Sequence, residues 1–468
     1  MLVVLGGGIG GLSAAHYLVK KNNVNAKILL VEGTNYLGGW IKSIVHNDKG
    51  VIFETGPRTI RPTGYQGANT LTLIEELNLT DKVKPILKSH PAAKNRFIYT
   101  NKKLHPLPSS LKSLFFTHPP FHKPLILSVF KDLLTPRKKV PDESLYSFVE
   151  RRLGKDIADY AISPMVCGIC AGDAKEISVR FLMASLFEAE QEHGSIIKGL
   201  LKNMFNKSSS KPAIKGILSE RAKVEKWSVW TMDGGLQTLP DKLSSKIADN
   251  GVDILLNEKC TSLRFIDDSV QCRIGSKDIH ARHVISSISA NGLANLLGDD
   301  HKFLSKELSL IDFVTVGVVN LAYNGEILKQ NGFGFLVPPF EGLPILGIIF
   351  DSCCTQQNGK TVLTVMMGGR WFNKYFGENP SKEKLLDTAI SQVKNILLID
   401  EQPVLSNCVI LKDCIPQYVI GHHDRVKRIQ SYIDDKKLPL SLVGSSYNGV
   451  GLNDVILSSR TAVDKITF

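Results

Sequence analysis

Leu2-Val3-Val4-Leu5-Gly6-Gly7-Gly8-Ile9-Gly10-Gly11-Leu12-Ser13-Ala14-Ala15 is a strand-like run that breaks into glycines and resumes as a helical pattern. Gly6, Gly8 and Gly11 stand in the spacing G-x-G-x-x-G. The first permits a tight turn, the second lets a pyrophosphate approach the backbone, and the third lets helix and strand pack closely. A pyrophosphate placed there rests on free helix N–H groups and the positive end of the helix dipole. A second strand-like run, Lys27–Val31, ends in Glu32, 21 positions beyond Gly11, where a carboxylate is wanted for ribose hydroxyls. The same acid would repel a ribose 2′-phosphate. Strand, glycine loop, helix, strand and acid in this order predict a βαβ dinucleotide-binding unit over residues 1–83. A glycine-rich turn followed by a solvated Glu is the alternative, and the context disfavours it.

The rest of the chain bounds the class. At 468 residues two or three structural units are expected, and 43% hydrophobic with 22% charged residues is ordinary for a folded globular protein. Eight scattered cysteines do not make a secreted disulfide framework. No uninterrupted apolar run reaches the length of a spanning helix, and no removable targeting segment is visible. The net charge of +12 is concentrated: Lys84 to Lys139 holds twelve Lys or Arg against Asp132 alone, and Lys198 to Lys223 holds seven against Glu220. Such localised basicity predicts an anionic surface or substrate. No nucleic-acid-reading motif accompanies it. Ser208-Ser209-Ser210-Lys211-Pro212 reads as a flexible loop, and Arg180–Glu190 as helix.

Three further patches bear on the nucleotide. Leu37-Gly38-Gly39-Trp40 reopens the backbone just past Glu32, unlike the continued βα units of nicotinamide enzymes. Gly56-Pro57-Arg58-Thr59-Ile60-Arg61-Pro62 is either a surface turn or a corner that fixes Arg58 against a flavin edge or an acidic substrate. Gly444-Ser445-Ser446-Tyr447-Asn448-Gly449-Val450-Gly451-Leu452-Asn453-Asp454 joins a strand to a helix. It is a plain connection, or its amides stabilise negative charge on a reduced flavin. Only one G-x-G-x-x-G is present, which favours an oxidase, or a dehydrogenase with another acceptor, over a flavin–nicotinamide reductase.

These patches, together with Asn95-Arg96-Phe97-Ile98-Tyr99 and Trp230 with Gly234-Gly235-Leu236, fall in an order that resembles the protoporphyrinogen oxidase family of amine-oxidase-like flavoproteins. The match is partial at Tyr36, where such families usually carry Arg. The resemblance implies an α/β fold: a Rossmann-type, glutathione-reductase-like FAD-binding domain, a mixed-sheet substrate domain and a helical membrane-binding subdomain. The boundaries expected are 1–83, 227–300 and 439–468 for FAD binding, 84–226 for the basic helical region, and 301–438 for substrate binding. It implies oxidation of protoporphyrinogen IX to protoporphyrin IX in haem biosynthesis, with hydride transfer to FAD and reoxidation by O2 giving hydrogen peroxide. A homodimer, peripheral on the mitochondrial inner membrane, is also implied. The FAD contacts implied are Gly6, Gly7, Gly8, Ile9, Gly10, Gly11, Glu32, Gly33, Trp40, Gly56, Pro57, Arg58, Thr59, the backbone near Cys260, and Val450, Gly451 and Leu452. The substrate cavity carries over onto Arg96, Gly168, Phe333, Gly334, Leu336 and Met366. A tetrapyrrole is a wide apolar disc with propionates, so apolar walls and one bidentate cation suit it.

Because a flavin carries the hard chemistry, no dense acid–base constellation is required, and no catalytic side chain is assigned. His422-His423-Asp424 reads as a solvated turn, and Cys167-Gly168-Ile169-Cys170 as packed small side chains in preference to a redox or metal pair. Leu104 to Leu134 mixes Leu, Phe and Pro with Lys112, Lys123 and Lys131. It either dips apolar groups into an anionic lipid interface or buries them in a helical subdomain. Two rivals stand beside the main reading: another amine-oxidase-like flavoenzyme, and a flavin-free binding module on the same fold.

Overall fold

The computed structural model describes residues 1–21, 26–205, 214, 216–355 and 357–467, so the Ser208–Pro212 loop lies outside the described residues. Five parallel strands form the nucleotide-side sheet, in the order Leu440–Leu442, His283–Ser286, Leu2–Leu5, Ile28–Val31, Asp253–Leu255. Leu2–Leu5 and Ile28–Val31 are apolar and buried at every position, the pattern of strands covered on both faces. Leu2 and Val4 pack under helices Ile9–Lys21, Thr238–Asp249 and Leu452–Lys465. Val3 and Leu5 pack under the antiparallel meander Cys260–Ile266, Ser269–Ile274, Lys277–Ala281 and the helices Lys302–Ser309 and His422–Asp435. Three distant stretches of chain therefore share one sheet.

The second sheet has seven strands, in the order Leu405–Pro416, Phe313–Asn324, Lys360–Gly369, Ile345–Phe350, Gly334–Leu336, Phe97–Thr100, Lys103–Pro106. Phe335, Ile348, Val365 and Val319 face helix Lys382–Leu397 and form one core with Leu385, Ala389 and Val393. On the opposite face Leu336, Gly347, Met366 and Val318 stand directly across from one another, strand to strand. The segment 84–226 is thus not helical throughout, because it lends this sheet a hairpin. Asn101 and Lys102 both take positive φ (52° and 59°) to close it. A turn of this kind usually announces itself with glycine, and Asn-Lys does not.

Helices Leu145–Arg152, Ser163–Cys170 and Ala184–His193 pack around Leu145, Phe148, Val149, Val166 and Phe187. Asp132, the single acid of the first basic stretch, is fully buried. It pairs with Arg152 (3.3 Å) and accepts from Ser195 Oγ (2.6 Å) and the Ile196 and Ile197 amides (3.2 and 3.0 Å). This ties helix Ile126–Leu134 to the start of helix Ile196–Phe205. The outer side of the same region exposes Leu111, Phe115, Phe116, Leu127, Phe130 and Leu134, the last at 83%. Among the described residues no helix is long and apolar enough to cross a membrane.

His422-His423-Asp424 is not a solvated turn. It opens helix His422–Asp435 after Gly421 turns the chain at φ 85°, and His422 is fully buried, stacked on Tyr418 at 3.8 Å.

Candidate functional site

The glycine loop is built for close approach. A methyl group on Gly11 would overlap the Gly6 carbonyl oxygen and sit 2.8 Å from Ser287 Oγ. Helix Ile9–Lys21 can therefore start this near the strand only with glycine there. Glu32 Oε2 accepts the Gly7 amide at 2.7 Å, and Oε1 accepts the Thr34 amide and hydroxyl at 2.8 Å. The carboxylate is fixed beside the cradle. The second glycine doublet closes onto the first, with the Gly38 amide on the Gly7 carbonyl (2.9 Å) and Gly8 bridging Gly38. A methyl on Gly39 would stand 3.1 Å from the Gly8 Cα, so no side chain covers the loop from that side. Asn257 and Glu258 donate to Thr34 and Glu32, and the Lys259 side chain lies 3.1 Å from a methyl placed on Gly33. The approach to Cys260 thus passes the acid. Cys260 itself opens strand Cys260–Ile266. Bare amides, a helix N-terminus and a fixed carboxylate are what a dinucleotide pyrophosphate and ribose require.

Gly56 packs on Trp40, whose carbonyl a methyl at Gly56 would overlap, while the Trp40 side chain is half exposed. Pro57 is exposed and Thr59 half-buried. Ile60 and the fully buried Trp230 exchange both backbone hydrogen bonds at 2.8 Å, which anchors the Gly56–Pro62 corner. Arg58 is not a free surface cation: Nη1 pairs with Asp351 Oδ1 at 2.9 Å, and both side chains are nearly buried. Asp351 Oδ2 also accepts the Thr364 hydroxyl at 2.6 Å. Beside them Glu54 accepts the Leu236 amide and the Ser43 hydroxyl, each at 2.8 Å.

Burial pushes the Glu54 carboxyl up to about 7, although the Leu236 and Ser43 hydrogen bonds and Arg58 all oppose the rise. The folded protein therefore holds this proton more tightly than the unfolded chain does. The resulting stabilisation is fully present below the unfolded value of 4.5 and is lost as pH rises to about 7, with no further loss above. A Glu54→Gln variant is expected to lack that slope, worth about 3 kcal/mol at most. Unfolding midpoints of variant and parent between pH 5 and 8 test it, and parallel curves would refute it.

At the C-terminal end Gly444 (φ 101°) and Gly449 (φ 142°) turn the chain into helix Leu452–Lys465. The helix lies on Ile9–Lys21 and is pinned by Ser459 Oγ on the Gly10 carbonyl at 2.8 Å. Val450, Gly451 and Leu452 are thereby brought to the helix start, near the glycine cradle. The Asn453 amide nitrogen donates to the Arg61 carbonyl at 2.9 Å, joining this loop to the Gly56–Pro62 corner.

The six residues expected around a substrate are brought to one region. Leu336 and Met366 stand on the same face of the seven-stranded sheet through Gly347. Gly168 meets that face from helix Ser163–Cys170, where a methyl would come 2.8 Å from Leu336. Gly334 (φ 131°) lies against Ile348, whose carbonyl a methyl would overlap. Phe333 and Arg96 precede neighbouring parallel strands, so they share one end of the sheet. The Arg96 guanidinium lies 5.8 Å from the Phe333 ring centre and has no acidic partner among the described residues. Burial, then the neighbouring Arg61, push its pKa down. Phe350, the residue before Asp351, donates to the Phe333 carbonyl at 3.1 Å. The Arg58–Asp351 pair therefore stands at the same end as Arg96.

Cys167 and Cys170 are buried free thiols that donate to the Gly172 and Val166 carbonyls. Burial raises both, Cys170 to about 12. Neither is poised as a thiolate. Glu54, Asp351 and Thr364 were not singled out in the sequence. Glu54 ends strand Val51–Glu54, Thr364 lies within strand Lys360–Gly369 and Asp351 opens the short helix Asp351–Cys354, and nothing local marks them.

Comparison with known proteins agrees with this geometry. The family model for flavin containing amine oxidoreductase matches residues 9–467. Protoporphyrinogen oxidase of Bos taurus is 41% identical over 474 residues, covering 99% of this chain and 98% of that protein. The Homo sapiens enzyme of the same name is 40% identical over 98% of this chain and 97% of its own length. Among solved structures, a putative protoporphyrinogen oxidase from Exiguobacterium sp. 255-15 superposes with a TM-score of 0.80 at 22% identity, covering 99% of this chain and 97% of that one. A glycine cradle with its fixed acid, and an apolar sheet face that ends in an arginine without an acidic partner among the described residues, are thus found in a chain that belongs to the protoporphyrinogen oxidase family of flavin-containing amine oxidoreductases.

Proposed function

We infer that this chain is an FAD enzyme that oxidises protoporphyrinogen to protoporphyrin in haem biosynthesis. The observation that carries the reading is the placement of Arg96, without an acidic partner among the described residues, at the end of the Leu336–Met366 face that the Arg58–Asp351 corner also reaches. FAD, when bound, supplies the hydride acceptor. Gly6 to Gly11 with Gly38 and Gly39 would hold its phosphates, with the Gly6, Gly7 and Gly38 amides already bonded to Val31, Glu32 and Gly7, and Glu32 would receive ribose hydroxyls. Gly33 and the backbone near Cys260, and Trp40, Gly56, Pro57, Arg58, Thr59, Val450, Gly451 and Leu452, would make the remaining contacts, the backbone near Cys260 toward the adenine and Val450 to Leu452 toward the flavin ring. Arg96 holds a substrate propionate, while Phe333, Leu336 and Met366 form dry walls against the macrocycle. Gly168 and Gly334 let helix Ser163–Cys170 pack on Leu336 and strand Gly334–Leu336 pack on Ile348, and on the family resemblance they line the same cavity. Dioxygen as final acceptor, a homodimer and peripheral attachment to the mitochondrial inner membrane belong to the same proposal, on the family resemblance.

Porphyrin fluorescence on mixing the protein with protoporphyrinogen IX in air, against an enzyme-free control, tests the reaction. Arg96→Ala is expected to raise KM about 10- to 100-fold, the loss of one charge-assisted bidentate contact. An unchanged KM would remove Arg96 from the substrate site. A yellow protein without activity would point to another flavoenzyme, and a colourless one to a binding module.

Lipid attachment has its own support in the exposed Leu111, Phe115, Phe116 and Leu134 beside Lys112, Lys123 and Lys131. Anionic vesicles are expected to sediment the protein, and high salt to release it. A Phe115→Glu/Phe116→Glu variant should stay in the supernatant. Equal binding to neutral and anionic vesicles would refute the electrostatic part.

A further inference from the structure

The loop from Gly444 to Gly451 is held by the segment that follows strand Leu405–Pro416. Tyr418 is 2% exposed, and its hydroxyl donates to the Ser445 carbonyl at 2.5 Å while accepting the Gly449 amide at 2.8 Å. His422 lies flat on the Tyr418 ring, 3.8 Å between centres and 13° between planes, and its Nε2 is 3.1 Å from the Tyr447 carbonyl. A carbonyl only accepts, so Nε2 carries the proton. Burial pushes this imidazole down to about 4, which keeps it neutral. Two side chains thus grip three alternate residues of one loop, Ser445, Tyr447 and Gly449, through backbone atoms alone.

The gripping segment has a second set of attachments. Gln417 Nε2 donates to the Cys170 carbonyl at 2.9 Å, at the end of the helix that carries Gly168. The Ser178 amide donates to the Tyr418 carbonyl at 2.8 Å, and the Gly421 amide donates to Asp142 Oδ2 at 3.1 Å. Residues 417–422 therefore bridge the wall expected to face the macrocycle and the loop expected to face the flavin.

We propose that Tyr418 and His422 are positioning residues for the reaction, holding the Gly444–Gly451 loop so that the Val450 and Leu452 amides stabilise negative charge on the reduced flavin, the Gly451 amide being already bonded to Asp454. This rests on reading Val450, Gly451 and Leu452 as flavin contacts. Gly449 at φ 142° has no internal reason to stay there except its amide bond to Tyr418 and its close packing on Asp454. Releasing the grip lets the helix start withdraw from the ring. The charge on the reduced form is then less well stabilised.

Tyr418→Phe and His422→Phe keep the stacked rings and remove only the polar grip. In the FAD-loaded double variant the flavin midpoint potential is expected to fall below that of the parent. The kcat should drop about tenfold with KM nearly unchanged, as loss of three buried hydrogen bonds that matter after binding. Amide exchange in peptide 443–456 should quicken. Val450→Asp serves as the control, because a carboxylate at that place lowers the potential whenever the loop faces the flavin. If Val450→Asp shifts the potential and the double variant does not, the positioning role is refuted and the flavin contact stands. If neither shifts it, the contact reading falls and the proposal falls with it.

Discussion

Gly11→Ala is expected to give a protein that purifies without flavin. The added methyl has no room, since it would overlap the Gly6 carbonyl oxygen and lie 2.8 Å from Ser287 Oγ. Ser287 Oγ cannot move aside freely, because its one proton is shared between the Leu5 carbonyl at 2.8 Å and the Gly6 carbonyl at 3.1 Å. Relief therefore comes only by pushing helix Ile9–Lys21 off the strand. That helix packs its buried face, Leu12, Ala14, Ala15 and Leu18, into the main nucleotide-side core. Overpacking of this kind costs about 1–3 kcal/mol, and more where the clash is with backbone. The shift also takes the helix N-terminal amides away from the pyrophosphate, so loss of FAD affinity by about 100-fold or more is expected. Absorbance of the purified variant near the flavin bands, followed by titration with FAD, measures it. Flavin retained at the parental stoichiometry would show that the close approach at Gly11 is not required.

Arg152→Met is expected to unfold the helical subdomain while leaving flavin binding in place. Arg152 is fully buried between Asp132 (3.3 Å) and Glu190 (3.4 Å), and its guanidinium also donates to the Thr135 carbonyl at 2.6 Å and to the Gly194 carbonyl. Burial alone would raise the Glu190 carboxyl, but Arg151, the Lys138 amide and Arg152 hold it below its usual range. Removing one partner from such a group strands buried charge, at a cost of about 3–5 kcal/mol. Asp132 loses more by this, since its one cationic partner among the described residues is Arg152. The damage should spare the five-stranded sheet, because these residues join Ile126–Leu134, Leu145–Arg152, Ala184–His193 and Ile196–Phe205, not that sheet, although the anchors of residues 417–421 at Asp142, Cys170 and Ser178 are in the same region. Limited proteolysis is expected to cleave within 126–205 in the variant and not in the parent, and anionic vesicles should no longer sediment it. Proteolytic resistance equal to the parent's would mean that the network is dispensable.

The cradle was legible because its requirements are local. A backbone that must approach a helix start leaves glycine at fixed spacing, and the acid Glu32 follows one helix and one strand later. The C-terminal glycine loop and the localised basic stretch were legible for the same reason, since turn chemistry and charge clustering are written in consecutive residues. The substrate set was not legible from pattern alone: Phe333, Leu336 and Met366 look like any strand interior, and it took the family resemblance to name them. The Phe97–Pro106 hairpin went unread because Asn101-Lys102 reaches positive φ without the glycine that signals it.

Tertiary structure alone decided what each charge does. Arg58 finds Asp351, 293 residues away, and so becomes a nearly buried ion pair at the corner, while Arg96 keeps its guanidinium free of acids among the described residues. Asp132, which reads as the lone acid diluting a basic surface, is the buried anchor of that subdomain. His422 reads as solvated and is instead sealed against Tyr418, neutral because burial disfavours its charge. The residue types at these positions set which interactions are available. Which of them form depends on long-range packing, because burial and the identity of a partner across a sheet or between domains are properties of the folded chain and of no local stretch of it.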